Sequence, residues 1–206
     1  MKTIMGDTEE GGRRLAFDHR NAKAGIGVHT LSLPSGYTCT GALHCLAFAD
    51  RFTGKIKDGP NATFRCYSAS QEIAPNVRES RWRNYELLRK EGTAEGMAKL
   101  IERDLPSEAA TVRPNASGDF FDQNYFDAWL LLAERRSDLL IYTYTKSIPF
   151  WVARLDRIPV NFVLTASLDG KYDDLVYEQG LRYAKVVFIP EEAARLGLRS
   201  PASASR

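Results

Sequence analysis

The 206-residue chain has only three cysteines, no long apolar run and a net charge of just +2. So small a charge does not indicate a nucleic-acid surface. No apolar run reaches the roughly 20 residues that a transmembrane helix needs, so no membrane partner is expected. The first 14 residues are polar, so no secretory signal is predicted and we expect a cytoplasmic protein. Disulfides are rare in that reducing compartment, which favours metal-binding or catalytic cysteines.

A hydrophobic content of 44% and a charged content of 26% are typical of a soluble globular protein. A chain of this length can bury the core of one domain. We predict a flexible N-terminus over 1–18, a single α/β domain over 19–198 and a disordered tail over 199–206. Within the domain, a loop over 34–74 carries all the cysteines, and a small hairpin is predicted inside it at 50–63.

Strand-like and helix-like segments alternate along the chain. Strands are predicted over 27–33, 111–116, 139–145, 160–166 and 184–189, and helices over 75–90, 94–104, 123–136, 147–155, 172–181 and 191–196. Such alternation predicts parallel strands joined by right-handed crossovers. About five units are too few to close an eight-stranded barrel. We therefore predict an α/β fold, a partial (open) TIM-like (β/α) barrel with about five parallel strands and its chemistry at their C-terminal ends. Trp129, Trp151, Tyr142 and Tyr144 are expected in the core.

Cys39, Cys45 and Cys66 all lie in the connection that follows the first strand. Thiolates ligate iron–sulfur clusters, in which a ligand other than cysteine can complete the set. The same thiols could bind zinc, with His44 or His29 as the fourth ligand. Without a metal they would be small buried hydrophobic residues. We favour metal binding, and a [4Fe–4S] cluster over zinc, because the adjacent side chains of Cys45 and His44 point in different directions on a strand or a helix.

Polar residues also follow the ends of later strands. Gly118 allows close backbone approach, and Asp119 either accepts a hydrogen bond from a ligand amine or caps the next helix. Lys146 either neutralises a ligand carboxylate or phosphate or extends into solvent. Ser167 begins a segment that either binds a ribose or turns the chain. We predict Gly118, Asp119, Lys146 and Ser167 as cofactor-binding residues.

A basic stretch with interleaved aromatic residues runs from Arg78 to Arg89. This composition is typical of nucleic-acid surfaces. Glu79 and Glu86 dilute its charge, so a solvated helix face is the preferred interpretation, with nucleic acid as a weakly indicated partner.

Several short segments resemble the phage and bacterial Gene product 88 domain family. They are Asn21–Lys23, Thr30–Pro34, Cys39–Ala42, Cys66–Tyr67, Ser117–Phe120, Tyr144–Ser147 and Leu164–Ser167. Together they span most of the chain. Thr40 stands where the family usually has proline, and the chain ends soon after Leu198, where members tend to continue. The resemblance implies a phage or prophage origin and implies no particular activity.

A more distant resemblance is to the radical S-adenosylmethionine enzymes. In that family three cysteines after the first strand hold a [4Fe–4S] cluster, and a Gly-Gly-acid motif after the second strand holds the amino group of S-adenosylmethionine. The resemblance implies cluster ligands at Cys39, Cys45 and Cys66 and an amine contact at Asp119, with Gly118 beside it. The spacing of the cysteines here is much wider than in that family.

The sequence therefore predicts an iron–sulfur protein that acts like a radical S-adenosylmethionine enzyme on an unknown substrate. The alternative is a non-catalytic phage protein, stabilised by zinc or a cluster, that binds a host protein or nucleic acid.

Overall fold

The structure, a computed structural model, describes residues 13–19, 25–187 and 189–197. Its strands are β1 (Phe17–Asp18), β2 (Val28–Ser32), β3 (Ala47–Ala49), β4 (Ile56–Asp58), β5 (Thr111–Ser117), β6 (Leu140–Thr145), β7 (Phe162–Ser167) and β8 (Tyr183–Ala184). Its helices are α1 (Tyr67–Gln71), α2 (Pro75–Glu91), α3 (Ala94–Asp104), α4 (Gln123–Arg135), α5 (Ile148–Val152), α6 (Asp173–Glu178) and α7 (Pro190–Arg195). The predicted tail over 199–206 lies outside the described residues.

The main sheet has six strands in the order β1-β2-β5-β6-β7-β8. The five strands from β2 to β8 are parallel, and each lies beside the strand that precedes it in this sheet along the chain. The predicted α/β fold with a mostly parallel sheet is therefore confirmed. The order of these parallel strands across the sheet follows their order along the chain and never reverses, whereas in a doubly wound sheet it reverses. The sheet is not closed, because β1 and β8 form its two edges, so a TIM-like barrel is not established.

Strand β1 adds an antiparallel edge that the sequence analysis did not predict. Phe17 pairs with Leu31, and the buried Leu15 donates its backbone N–H to an Asp104 carboxylate oxygen at 2.7 Å. Residues 15–18 are therefore held against the sheet, although the sequence predicted a flexible start there, and Arg13 and Arg14 are exposed. The rest of that predicted start, residues 1–12, lies outside the described residues.

One face of the sheet is covered by helices and forms the core. Ile141 and Leu164 point to this face and are buried, as are Phe126 and Trp129 of α4. The rings of Phe126 and Phe162 lie 5.7 Å apart, so α4 packs directly on β7. Asp122 caps α4 by accepting a hydrogen bond from the Tyr125 N–H at 2.8 Å. Alternation along β6 and β7 thus buries every second side chain against the helices.

The opposite face of the sheet is more open. Tyr142 is half-buried and Tyr144 is 46% exposed, so the prediction that both lie in the core is wrong. Both tyrosines lie at strand positions that alternate with the buried ones and therefore face away from the helical layer. Trp129 and Trp151 are buried, as predicted.

The long loop after β2 contains a hairpin, as predicted, but the hairpin spans 47–58 instead of 50–63. Strands β3 and β4 pair antiparallel, with Ala47 opposite Asp58 and Ala49 opposite Ile56. The predicted last strand is shorter than expected, because only Tyr183 and Ala184 pair with β7. Among the helices that the structure describes, none combines the length and the apolar character required to cross a bilayer.

Candidate functional site

The first half of the cysteine loop lies across the carboxyl ends of β5 and β6. The Thr38 hydroxyl accepts a hydrogen bond from the Asp119 N–H at 3.2 Å and donates one to the Pro34 carbonyl at 2.8 Å. The Thr40 hydroxyl lies 2.9 Å from that of Ser147. Two threonine hydroxyls therefore attach the loop to the residues that follow β5 and β6.

The same loop also reaches the end of β7. Ala42 forms an isolated bridge with Gly170, and the Lys171 N–H donates to the Gly41 carbonyl at 2.9 Å. The Lys171 ammonium donates to the Thr40 carbonyl at 2.9 Å. We call the four segments that meet here the rim, defined as residues 38–42, 117–120, 145–147 and 167–171.

Two glycines allow the close packing of the rim. A Cβ at Gly41 would overlap the carbonyl group of Lys146. Gly118 has a φ of +78°, and a Cβ there would overlap the Thr38 hydroxyl and lie 2.8 Å from the Leu33 Cβ. The close backbone approach predicted for Gly118 is therefore made by the protein's own loop.

Asp119 is a buried acceptor at the centre of the rim, only 5% exposed. Its carboxylate accepts hydrogen bonds from the Thr145 hydroxyl at 2.6 Å and from the Lys146 and Phe120 N–H groups at 2.8 Å each. Burial raises the pKa of Asp119, and these hydrogen bonds oppose that shift. The next helix is capped by Asp122 instead. Asp119 therefore holds the ends of β5 and β6 together.

Lys146 and Ser167 meet across the ends of β6 and β7. The Lys146 ammonium donates to the Ser167 carbonyl at 3.0 Å and to the Leu168 carbonyl. Both contacts use backbone oxygens of the segment that follows β7. The structure thus brings all four predicted cofactor-binding residues into the rim, where Gly118, Asp119 and Lys146 bind other parts of the chain.

The three cysteines are half-buried free thiols, with Cys39 in the rim itself and Cys45 and Cys66 farther along the same loop. The Gly36 N–H donates a hydrogen bond to the Cys39 sulfur at 3.3 Å, and the Ser35 hydroxyl donates one to the Cys66 sulfur at 3.7 Å. Sequence reasoning missed these two donors, which lie in the Pro-Ser-Gly turn that ends the first predicted strand. Hydrogen bonds to ligand sulfurs are one means by which proteins set the potentials of iron–sulfur clusters.

The thiols also act on one another electrostatically. Burial raises the pKa of Cys39 strongly, the negative charge of Asp119 raises it further, and thiolates at Cys66 and Cys45 add to the shift. Burial also raises the pKa of Cys45, whereas the Lys146 ammonium lowers it. Cys39 and Cys45 therefore hold their protons at neutral pH unless a bound cation replaces them.

The spacing of the thiols bears on the kind of metal site. Among the described residues, no three His, Cys, Asp or Glu side chains lie close enough together to hold a single metal ion. This finding gives no support to the predicted zinc site, which needs its sulfur ligands about 2.3 Å from one ion, and none to any other metal site at these side chains. An iron–sulfur cluster binds its thiolates through different irons, so its ligands stand farther apart than those of one ion. His29, an alternative zinc ligand, is buried within β2.

The predicted contact of Asp119 with the amino group of S-adenosylmethionine does not fit the contacts that Gly118 and Asp119 make in the structure. The space beside Gly118 is filled by Thr38 and Leu33, and both oxygens of Asp119 already accept hydrogen bonds from the chain. Gly118 and Asp119 therefore help to build the rim.

Two arginines of the basic stretch are buried rather than solvated. Arg81 forms a 2.8 Å ion pair with the buried Glu72, and Glu72 also accepts a hydrogen bond from the Ser35 N–H at 2.8 Å. Arg78 donates to the carbonyls of Glu72 and Ile73 at 2.6 and 3.1 Å. Both side chains thus anchor the cysteine loop on α2 and are not available to a nucleic acid. Sequence reasoning missed their partner, Glu72.

The chain matches one family model in a comparison with known proteins. The model of the family described as Gene product 88 matches residues 8–203, which is most of the chain. Searches of the curated proteins and of the solved structures give no significant match.

Proposed function

The chain belongs to the Gene product 88 family, and we propose that it is an iron–sulfur protein whose [4Fe–4S] cluster is held by Cys39, Cys45 and Cys66. The observation that supports the proposal is that the neighbouring donors Ser35 and Gly36 reach the sulfurs of Cys66 and Cys39, with Cys45 close enough for its charge to act on Cys39. They come from distant points of a long loop, and the first part of that loop, which carries Cys39, lies across the carboxyl ends of β5 and β6. Chemistry in parallel α/β folds is concentrated at that end.

Two hydrogen-bond donors and one cation near the thiols suit anionic cluster ligands, and they oppose the burial and the Asp119 charge that disfavour thiolates. Gly36 and Ser35 donate hydrogen bonds to the Cys39 and Cys66 sulfurs. The Lys146 ammonium, whose charge favours the thiolate of Cys45, offsets part of the negative charge that three thiolates bring. All three residues are half-buried, so a ligand can reach them while bulk water is partly excluded. When bound, the cluster would supply one-electron transfer.

The rim would fix the positions of these ligands. Thr38 and Thr40 flank Cys39, and their hydroxyls bind the segments that follow β5 and β6. The Arg81–Glu72 ion pair holds Ser35 and thereby the turn that faces the Cys66 sulfur. Radical chemistry with S-adenosylmethionine stays a prediction from the distant resemblance, because Gly118 and Asp119 bind the chain itself.

Metal and sulfide analysis of anaerobically purified protein tests the proposal. We expect brown protein that contains iron and acid-labile sulfide, with broad visible absorption from the cluster. Each of the variants Cys39→Ala, Cys45→Ala and Cys66→Ala should lose most of its iron and sulfide. The matched control is Thr53→Ala, an exposed hydroxyl on the hairpin of the same loop, which should keep both.

Two results would overturn the proposal. One is colourless protein that carries stoichiometric zinc without sulfide. The other is iron and sulfide content that all three cysteine variants retain at the level of the control. Circular dichroism of each variant would show whether it is folded, so that a loss of cluster is not confused with unfolding.

A further inference from the structure

The open face of the sheet carries a cavity that the rim does not account for. It has a volume of about 690 Å³ and lies between β1, β2 and β5 on one side and α1 and α2 on the other. Thr30 and Ser32 contribute to its wall from positions that flank the core residue Leu31. The cavity is therefore on the sheet face opposite the helical core. Its volume falls within the range of small-molecule sites, roughly 300–1,000 Å³.

Arg113 of β5 is the group in this wall that most clearly lacks a partner. Its guanidinium lies 5.4 Å from the centre of the Tyr144 ring. Its Nε atom is buried and has no hydrogen-bond acceptor, and the side chain forms no ion pair within the described part of the chain. A buried donor normally has an acceptor, and because Arg113 as a whole is only half-buried, an oxyanion bound in the cavity can supply one.

The second arginine in the wall differs in being fully engaged. Arg81 donates to the Ser68 carbonyl and the Glu72 carboxylate at 2.8 Å each, and to the Gln71 side chain at 2.6 Å. The side-chain amide of Asn84, also in the wall, donates to the Ser32 carbonyl at 3.1 Å and to the Ala16 carbonyl at 3.2 Å. Arg81 and Asn84 shape the cavity with hydrogen bonds already made. The wall also carries the carboxylate of Asp18, so Arg113 is the cation left in it to recognise a ligand anion.

We propose that this cavity binds a small organic anion, and that Arg113 holds its carboxylate or phosphate group. A planar guanidinium can donate two parallel hydrogen bonds to either group, and its stacking on Tyr144 would orient it for this purpose. Ser32 and Ser80 also line the cavity, and their hydroxyls would supply polar contacts for the rest of the ligand, whereas the Thr30 hydroxyl already donates to the Asp18 carbonyl. The proposal does not depend on a metal, so the cluster assay can fail without affecting it.

Calorimetric titration with two probes, citrate and pyrophosphate, tests the proposal on the full chain. Chloride at the same ionic strength is the control anion, because it has no carboxylate or phosphate group. We expect the wild type to bind at least one probe at millimolar concentration. Arg113→Met should weaken that binding about tenfold or more, the effect of losing a hydrogen bond to a charged group.

Arg89→Met is the matched control, because Arg89 also stacks on a tyrosine, with its guanidinium 5.7 Å from the Tyr85 ring, but lies outside the cavity wall. This variant should bind the probe as the wild type does. Ala116→Phe adds a ring at the cavity wall and should abolish binding. This variant replaces Arg113→Met in the test if Arg113→Met does not fold. Wild type that binds neither probe would overturn the proposal, as would equal binding by Arg113→Met and Arg89→Met.

Discussion

Gly41 packs against the backbone of Lys146, so closely that an added Cβ would overlap the Lys146 carbonyl and lie 3.1 Å from its Cβ. The contact joins the cysteine loop to the end of β6. It also explains why glycine occupies a position where no left-handed backbone angle requires one.

Gly41→Ala should separate the loop from the sheet. Because the Lys146 carbonyl is held by the backbone and cannot rotate away, we expect a loss of about 1–3 kcal/mol in the free energy of unfolding. Urea denaturation measures the change. The control is Gly180→Ala, where an added Cβ meets nothing within 4 Å and only the φ of +59° adds strain. An equal or smaller loss in Gly41→Ala than in the control would show that the contact is not tight.

Asp119→Asn should destabilise the protein although it changes little in size. The Lys146 N–H lies 2.8 Å from one carboxylate oxygen, and the other oxygen accepts from Thr145 and Phe120. An amide places a donor against at least one of these donors, at a cost of about 1–3 kcal/mol in unfolding free energy.

Asp122→Asn is the control for this substitution, because asparagine caps a helix about as well as aspartate. Asp122 accepts one hydrogen bond, from the Tyr125 N–H, and the amide oxygen of asparagine can do the same. We expect Asp122→Asn to leave the denaturation midpoint nearly unchanged. Equal losses in the two variants would contradict the role assigned to Asp119.

The pH dependence of stability offers a separate test of Asp119. Burial raises its pKa above the ordinary value of 3.8, so the folded chain binds this proton more tightly than the unfolded chain. The stability that the protonated carboxyl contributes is complete below the unfolded pKa and is lost as the pH rises through the folded pKa. The difference in unfolding free energy, wild type minus Asp119→Asn, should therefore fall with rising pH across that interval. A difference that increases instead would mean that the pKa is lowered.

The alternation of strand-like and helix-like segments along the sequence was sufficient to predict the parallel strands and the edge at which their ends meet. The predicted segments 111–116 and 139–145 differ from β5 and β6 by one residue, because each is a buried run bounded by loops. Carboxyl ends of parallel strands share one edge, so the meeting of Asp119, Lys146 and Ser167 followed from the order of elements. The sequence could not show that these side chains bind one another, since their partners are 21 to 27 residues away.

Burial was harder to predict than strand position. Tyr144 lies on the open face, and nothing local to β6 distinguishes a face covered by helices from one that is not. Arg81 was expected on a solvated helix face, but its partner Glu72 lies nine residues earlier, just after the end of α1. Ion pairs between different elements have no periodic signal in the sequence.

Removing the positive charge of Lys146 should slow the alkylation of the Cys45 thiol. Burial raises the pKa of this thiol and the Lys146 ammonium lowers it, so Lys146→Met should raise it further and leave less reactive thiolate. In metal-free protein at pH 8, we expect iodoacetamide to alkylate Cys45 at least about twofold more slowly, as measured by peptide mass spectrometry. Lys171→Met is the control, because that ammonium binds the Thr40 carbonyl and is not among the main charges that act on Cys45. Faster alkylation in Lys146→Met, with the control unchanged, would mean that Lys146 shields the thiol instead of ionising it.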